Sequence, residues 1–314
     1  MAEAVGGPTV LRLLLGAQLR RLREARGISA QQAARTIRGS ESKISRIELG
    51  RNSVREIDIA DLLSLYGITD AAEREQLLSL ASRANQPGWW HRYHDVLPPW
   101  FQAYIGLEES AQSIRSYDMQ FVPGLLQTEE YAAAVLALGD FSLDEAERLV
   151  VLRKERQRRF AAGGIHLWAV VDEIALRRPI GSLDVLRGQL RELSETCRQP
   201  WLTLQVTPFP AVSHAAPASF SILRFADPGL PDMVYVEQLT SATYLDKAAE
   251  VEAYLLAMER LSLVSAPPES SPDIIRDILV DLEGIDEYQS KRHASHRTGL
   301  ADLAQEQAQR PHGG

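Results

Sequence analysis

Apolar residues recur at helical spacing through the first eighty positions of the chain. Leu15, Leu19 and Leu22 are four and three residues apart, which places them on one face of a helix that Gly27 ends. Four similar segments follow at short intervals; their apolar residues are Ala33, Ala34 and Ile37, then Ile44 and Ile47, then Ile59, Leu62, Leu63 and Leu65, then Leu77, Leu78, Leu80 and Ala81. The pattern predicts an all-α domain of five short helices over residues 10–84.

Polar residues suited to helix caps separate these segments. Ser29 and Gln32 have the spacing of a capping box, in which each side chain binds a backbone amide of the other residue. Asp70 and Glu73 repeat that spacing before the fifth helix, and Ser40 precedes the third. These caps fix where the predicted helices begin.

The stretch Ser40–Gly50 has the features of a recognition helix. Ile44 and Ile47 are three residues apart and face inward together. About ten residues are too few for an isolated helix in water, so the stretch must pack on helices that precede it. It leaves five polar side chains outside: Glu41, Ser42, Lys43, Ser45 and Arg46. We therefore predict a helix-turn-helix that binds double-stranded DNA.

The charge distribution agrees with this prediction although the net charge of the chain is -8. Residues 10–66 contain eleven Arg or Lys against six Asp or Glu, a net charge of +5, and the rest of the chain carries -13. Nucleic-acid affinity depends on neutralising phosphates. The cations that DNA requires are thus concentrated at one end of the chain.

The N-terminal motif resembles the helix-turn-helix of the Xre/Cro-repressor family. The matching residues are 19–23, 27–29, Ala34 and 42–50. The resemblance implies that Arg23 pairs with Glu48 and so holds the recognition helix at its docking angle. Two departures from the family pattern occur. The turn contains Arg38-Gly39 where the family often has Gly-Val, and Ala30 stands where the family often has Gln.

Matching positions in that family supply the candidate DNA contacts. Arg46 has the chemistry to pair with guanine, Glu41 to accept from cytosine and Ser42 to bind either base, whereas Lys43 is suited to a base or a phosphate. Backbone contacts are expected from Ser29, Gln31, Arg51, Asn52 and Arg55. The alternative for each of these exposed residues is an ordinary solvated surface.

Residues 85–106 are predicted to form an aromatic linker. Five aromatic residues form a candidate surface for a partner or ligand: Trp89, Trp90, Tyr93, Trp100 and Phe101. Packing in a seam between the domains is the alternative and the better supported one. His91 and His94 are three residues apart, but no further ligands lie near them in the sequence, so we predict no metal site.

Residues 107–275 are predicted to form an α+β domain with a small mixed sheet. Five strands are expected: 165–171, 202–207, 220–225, 233–237 and 242–245. An amphipathic segment between the first two predicts a parallel crossover, and short turns between the later strands predict a meander. Helices are expected from near Leu107, after Thr128, after Ser142 and, covering the sheet, around Met258. The basic run at residues 153–159 is interpreted as the solvated face of a helix whose other side is packed, and a second DNA contact is the alternative.

This second region resembles the sensor-like domain of unknown function found in actinobacterial, WhiJ-like regulators. The matching segments are 104–108, 122–131, 176–178 and 234–237. The resemblance implies a regulator of development or secondary metabolism that works with a small partner protein encoded nearby. A dimeric transcriptional regulator is therefore the leading hypothesis. An antitoxin-like hub for a protein partner, with autoregulatory DNA binding, is the alternative.

The sequence shows little sign of an enzyme, a disulfide-linked protein or a membrane protein. No catalytic motif or cofactor site is recognised, because Asp172 and Glu173 point to opposite faces of a strand and His214 has no partner at fixed spacing. The single cysteine, Cys197, rules out an internal disulfide. We find no signal peptide and no stretch that could span a membrane, and expect a cytoplasmic, nucleoid-associated protein. Residues 1–9 are expected to be disordered, and residues 276–314 to form a helix and a disordered tail.

Overall fold

A computed structural model describes residues 7–50, 52–209 and 216–284, which form two domains. The first domain is all-α, as predicted. Its helices are α1 (Pro8–Ala25), α2 (Ala30–Thr36), α3 (Glu41–Glu48), α4 (Glu56–Leu65) and α5 (Ala71–Ala84). Their apolar faces meet in one core, in which Leu19, Ile59 and Leu63 have no exposed surface.

The N-terminal boundary differs from the prediction. We expected disorder up to residue 9, but α1 begins at Pro8, and Thr9 is buried. Proline is suited to the first turn of a helix because it lacks an amide hydrogen that would need a partner there. Residues 1–6 lie outside the described part of the chain.

The second domain is α+β, as predicted, and contains a six-stranded mixed sheet. Its helices are α6 (Pro99–Ser110), α7 (Glu129–Leu136), α8 (Leu143–Ala162), α9 (Glu173–Arg177), α10 (Leu183–Thr196), α11 (Ala248–Val264) and α12, which includes residues 271–284. Its strands are β1 (Ala111–Asp118), β2 (His166–Asp172), β3 (Leu202–Thr207), β4 (Phe220–Phe225), β5 (Met233–Glu237) and β6 (Ala242–Leu245).

The strand order is β3-β2-β1-β4-β5-β6. Strands β1, β2 and β3 are mutually parallel, and β1, β4, β5 and β6 pair in antiparallel fashion. The predicted crossover through α10 and the predicted meander are both confirmed. One sheet face packs against α10 and α12, and the other packs against α11.

Strand β1 was missed in the sequence, although it lies at the centre of the sheet. We expected a helix to begin near Leu107, but α6 begins at Pro99 and β1 follows it directly. The strand contains Ser113, Ser116 and Asp118, so it lacks the apolar run that a central strand usually shows. Hydrogen bonds to β2 and β4 on both sides hold it in place.

The segment predicted as an aromatic linker is part of the second domain. Residues 99–106 belong to α6, and Trp90 and Tyr93 pack into a core with residues of α7 and α8. Trp90 is 5% exposed and Tyr93 6%. The prediction of a partner surface is therefore wrong for these two residues, because burial leaves them no accessible ring face. Trp89, Trp100 and Phe101 are half-buried.

The C-terminal boundary also moves. Helix α12 includes residues on both sides of the expected limit at 275, and its Ile275, Ile278 and Leu282 are buried in the main core of the second domain. This helix therefore belongs to the α+β domain. The tail from residue 285 lies outside the described residues.

Helix α1 joins the two domains. Leu11, Leu15 and Leu19 are buried in the core of the first domain, whereas Val10 and Leu14 are buried in that of the second. The second contact is close, because a side chain at Gly106 of α6 would collide with Thr9. One helix thus supplies apolar residues to both cores.

Candidate nucleic-acid interface

Helix α3 presents a polar face that its own sequence determines. The Ser40 hydroxyl accepts a hydrogen bond from the Lys43 amide at 3.2 Å and caps the helix. Ile44 and Ile47 are 1% and 3% exposed and anchor the helix to the core. On the opposite side Glu41, Ser42, Ser45 and Arg46 are exposed. Three of the four predicted base-contact residues, Glu41, Ser42 and Arg46, therefore lie at the surface of one helix.

A two-pronged ion pair holds the C-terminal end of α3. The Arg23 guanidinium donates to Glu48 from Nε to Oε1 at 2.6 Å and from Nη2 to Oε2 at 2.9 Å. Its Nη1 also donates to the Ile28 carbonyl at 2.9 Å. The pair that the resemblance implied is present. Because both side chains are largely buried, it fixes α3 relative to α1 and to the turn that follows α1.

Close backbone approach is a second constraint on α3, and no local sequence pattern predicts it. A Cβ atom at Gly16 of α1 would stand 2.5 Å from the Glu48 carbonyl oxygen and 2.6 Å from that of Ile47. Such distances are too short for any side chain. Glycine at this position therefore allows α3 to lie directly on α1.

Lys43 is oriented differently from its neighbours on α3. Its Nζ donates to Oδ2 of Asp58 on α4 at 2.7 Å, and the residue is half-buried. Arg55 donates to the same carboxylate at 2.7 Å and 3.1 Å. Burial by itself would raise the pKa of Asp58, but the hydrogen bonds from Arg55 and Lys43 outweigh it and lower that pKa. One buried carboxylate thus positions two of the predicted DNA-contact residues.

Helix α2 contributes a neighbouring exposed face. Ser29 and Gln32 form the predicted capping box, with the Ser29 hydroxyl accepting from the Gln32 amide at 3.2 Å. Gln31 is exposed, and Arg35, four residues later, lies on the same side of the helix. Arg35 was not among the predicted contacts, although its spacing from Gln31 was visible in the sequence.

The loop after α3 is attached to α5. Asn85 accepts a hydrogen bond from the Val54 amide at 3.1 Å and donates to the Val54 carbonyl at 2.6 Å. The Asn85 side chain thus satisfies both the amide and the carbonyl of Val54, as a paired strand would. Asn52 is exposed beside it, and Arg51 lies outside the described residues.

The turn between α2 and α3 has an unusual backbone. Arg38 adopts a φ of 51°, in the left-handed region that favours glycine. The Gly39 amide donates to the Ala34 carbonyl at 2.8 Å, and the Arg38 amide donates to the Arg35 carbonyl at 3.1 Å. These two bonds form a Schellman motif, with Arg38 in the position usually occupied by glycine.

The arginines in the basic run of α8 make contacts within the protein. Arg156 is 6% exposed and donates to Glu108 at 2.7 and 2.8 Å. Arg159 pairs with Glu155 and Glu109, Arg158 pairs with Glu155, and Arg153 donates to Gln127. The predicted solvated face is therefore wrong for Arg156, because its pairing with Glu108 buries it, whereas Lys154 and Arg158 are exposed.

The carboxylates at the end of β2 are also engaged. Asp172 accepts from the Ile174 amide and caps α9, and Glu173 pairs with Arg177 at 2.6 Å and accepts from the Phe209 amide. Through these contacts both residues stabilise the local structure. His214 lies outside the described residues.

One carboxyl group of the second domain stands out electrostatically. Oδ2 of Asp118, at the end of β1, is buried and has no hydrogen-bond partner among the described residues. Burial and, to a smaller extent, the Glu237 carboxylate raise the pKa of Asp118 to about 7. The group is thus partly protonated at neutral pH, which reduces the cost of burying it.

A cleft of about 560 Å³ opens in the second domain between the start of α7, α8 and α10. Its walls carry charges of both signs, including Lys154, Glu130 and Glu192, beside the ring of Trp201.

The described residues contain no group of three or more His, Cys, Asp or Glu side chains arranged to hold a metal ion. Nor is any helix in the described ranges both long enough and apolar enough to cross a membrane.

Comparison with known proteins agrees with the two domains. A family model described as a helix-turn-helix domain matches residues 14–77. A second model, described as a domain of unknown function (DUF5753), matches residues 101–277, which is more than half of the chain. No curated protein and no solved structure matches. The first match suggests a DNA-binding regulator, and by the second the chain belongs to the DUF5753 family.

Proposed function

We propose that this protein is a sequence-specific transcriptional regulator of the Xre/Cro-repressor type. The observation that carries the proposal is the fixed position of α3. Its C-terminal end is held by the Arg23–Glu48 pair and by the approach of Gly16, while its polar face stays exposed. A helix placed in this way is suited to enter the major groove with its side chains against base edges.

Within this proposal Arg46, Glu41 and Ser42 read bases. Arg46 has two donors for guanine, and Glu41 is an acceptor for cytosine. Lys43 is also a proposed contact in the groove. Its ion pair with Asp58 sets the direction of its side chain. Ser29, Gln31, Arg51, Asn52 and Arg55 bind the DNA backbone and set the register without reading sequence.

The biological setting follows the resemblance to WhiJ-like regulators. We propose that the protein binds DNA as a homodimer in the cytoplasm, and that the second domain serves dimerisation and the binding of a small partner protein encoded nearby. Genes of development or secondary metabolism are the proposed targets. The perturbed carboxyl of Asp118 is buried, and Asp172 and Glu173 have structural roles, so the proposal assigns no catalytic step.

An electrophoretic mobility shift with DNA from upstream of the protein's own gene tests the function. Arg46→Ala should weaken binding by about tenfold or more, because a bidentate base contact contributes about 1–3 kcal/mol. Lys43→Ala should weaken it less and make binding less sensitive to salt. Arg198→Ala removes an exposed charge after α10 and is the control. Wild-type affinity in an Arg46→Ala, Lys43→Ala double variant would contradict the assignment of α3.

Light scattering at the protein concentrations used for binding tests the dimer. A dimeric mass for the free protein or for its complex with DNA is expected. A complex containing one chain per DNA fragment at saturation would contradict dimeric binding while leaving the DNA-binding assignment intact.

A further inference from the structure

Four consecutive helices of the first domain end in the same kind of turn. Helices α1, α3 and α4 are followed by a residue with positive φ, and in each case that residue is glycine: Gly27 at 64°, Gly50 at 63° and Gly67 at 69°. Helix α2 is followed by Arg38 at 51°. In the described parts of the chain, Arg38 is the only non-glycine residue with a positive φ.

An arginine in this position is strained. Left-handed backbone brings Cβ too close to the following carbonyl oxygen, and glycine avoids the conflict because it has no Cβ. The other three turns of this domain have the usual glycine at this position. Strained residues persist where the surrounding structure holds them in place, and they cluster at sites that bind ligands.

The adjacent glycine does not relieve this strain. Gly39 is absent from the residues with positive φ. A Cβ at Gly39 would instead stand 2.9 Å from Cδ of Lys43, whose side chain passes this point on its way to Asp58. Gly39 therefore makes room for Lys43, and Arg38 must adopt the left-handed turn itself.

Arg38 lies in the turn between the two helices of the motif. Its side chain is exposed and makes no hydrogen bond or ion pair with the described residues. In the chain it lies three residues after Arg35 and two residues before Ser40, the cap of α3. Its exposed guanidinium is thus available to a ligand that contacts this turn.

We propose that Arg38 binds a DNA phosphate at the edge of the groove that α3 enters, and that this contact is the reason an arginine occupies a glycine position. The inference rests on the proposed DNA binding. A phosphate, rather than a base, is the partner because α2 and the turn lie outside the exposed face of α3 that would reach base edges. The side chain sets register and affinity but not sequence.

Three substitutions in the full-length protein separate the charge from the strain. Arg38→Gly removes both, Arg38→Ala removes the charge and keeps a Cβ, and Arg38→Lys keeps charge and strain. The first two should each raise Kd for the upstream DNA about three- to tenfold and lower the slope of log Kd against log salt by about 0.9 per bound chain. Arg38→Lys should bind within about threefold of the wild type.

The melting temperature of Arg38→Gly should rise although its affinity for DNA falls. Arg38→Gly should melt about 1–3 °C above the wild type, since it relieves the backbone, whereas Arg38→Ala should not. A purely structural role would change stability and affinity together. Arg198→Ala controls for the loss of one exposed charge in the second domain.

The outcomes distinguish this inference from the function on which it rests. Weaker binding by a more stable Arg38→Gly protein supports the phosphate contact. Unchanged affinity and salt dependence in Arg38→Gly, with a wild type that binds, would overturn the inference alone. A wild type that gives no complex with DNA at low salt would overturn the proposed function and this inference with it.

Discussion

Asp58 shows how one buried residue can organise an exposed surface. Its side chain is 3% exposed and accepts hydrogen bonds from Lys43 on α3 and from Arg55 before α4. Removing either cation would leave this buried carboxylate with fewer hydrogen bonds, which costs free energy because the group is out of water. The carboxylate therefore stabilises the fold and at the same time directs two cations of the proposed interface.

Asp58→Asn should lower the free energy of unfolding at pH 7 by about 1–3 kcal/mol, since charge-assisted hydrogen bonds are replaced by weaker ones. The pKa of Asp58 is lowered in the folded protein, so its contribution is present above the unfolded value of about 3.9 and is lost as pH falls through the folded value. Urea unfolding between pH 3 and pH 7 measures this effect.

The exposed Asp61→Asn is the matched control on the same helix and should have little effect at any pH. The difference between Asp58→Asn and the wild type should shrink below about pH 4. A difference that stayed constant down to pH 3 would show that the Asp58 charge does not contribute to stability.

At the scale of elements, the position of α3 depends on its contact with α1. The Arg23–Glu48 pair connects the two helices through side chains, and Gly16 lets their backbones meet. The capping bond at Ser40 determines where α3 begins. Gly16 therefore determines how far the exposed face of α3 stands from the rest of the domain.

Gly16→Ala should destabilise the protein by about 1–3 kcal/mol, because the new Cβ would push against two α3 carbonyl oxygens that belong to the backbone. It should also weaken DNA binding, since α3 must move away from α1. Thermal unfolding and a mobility shift measure the two effects.

Gly188→Ala in α10 is the matched control. A Cβ at Gly188 would have no atom within 4 Å except those of its chain neighbours and of its own helix backbone, so the same substitution should stabilise the protein by about 0.5–1 kcal/mol through helix propensity alone. If both variants were stabilised to the same extent, the close approach of α1 and α3 would be disproved.

At the scale of the whole molecule, α1 makes the two domains share one helix. Leu14 is buried in the core of the second domain, and the next residue, Leu15, in that of the first. Arg12 adds a hydrogen bond to the Ala84 carbonyl at the end of α5. If the core of one domain unfolds, α1 loses part of its packing, and the core of the other domain is weakened as well.

We expect the domains to unfold in one transition. All five tryptophans, at positions 89, 90, 100, 168 and 201, follow α5, so their fluorescence reports the second domain, whereas far-ultraviolet circular dichroism reports both. Leu14→Ala and Leu15→Ala should each cost about 2–5 kcal/mol and shift both signals to the same lower urea concentration. A Leu15→Ala protein with an unchanged fluorescence midpoint would show that the domains unfold independently.

Local sequence determined most of the first domain. Helical periodicity at Leu15, Leu19, Ile44 and Ile47 and the capping box at Ser29 depend on residues a few positions apart, so they could be read directly. Five of the six strands, the crossover and the meander were also predicted, because alternating apolar residues and short turns carry local information. The outward side of α3 follows from the same local pattern.

Contacts between distant residues decided the rest. Strand β1 is polar and becomes a central strand only because β2 and β4 flank it, and Trp90 and Tyr93 are buried because α7 and α8 cover them. Lys43 turns toward Asp58, fifteen residues away, and Gly16 meets α3 through space. A single sequence shows which side chains can face outward on a helix, but the partner that orients each one is fixed by packing between elements.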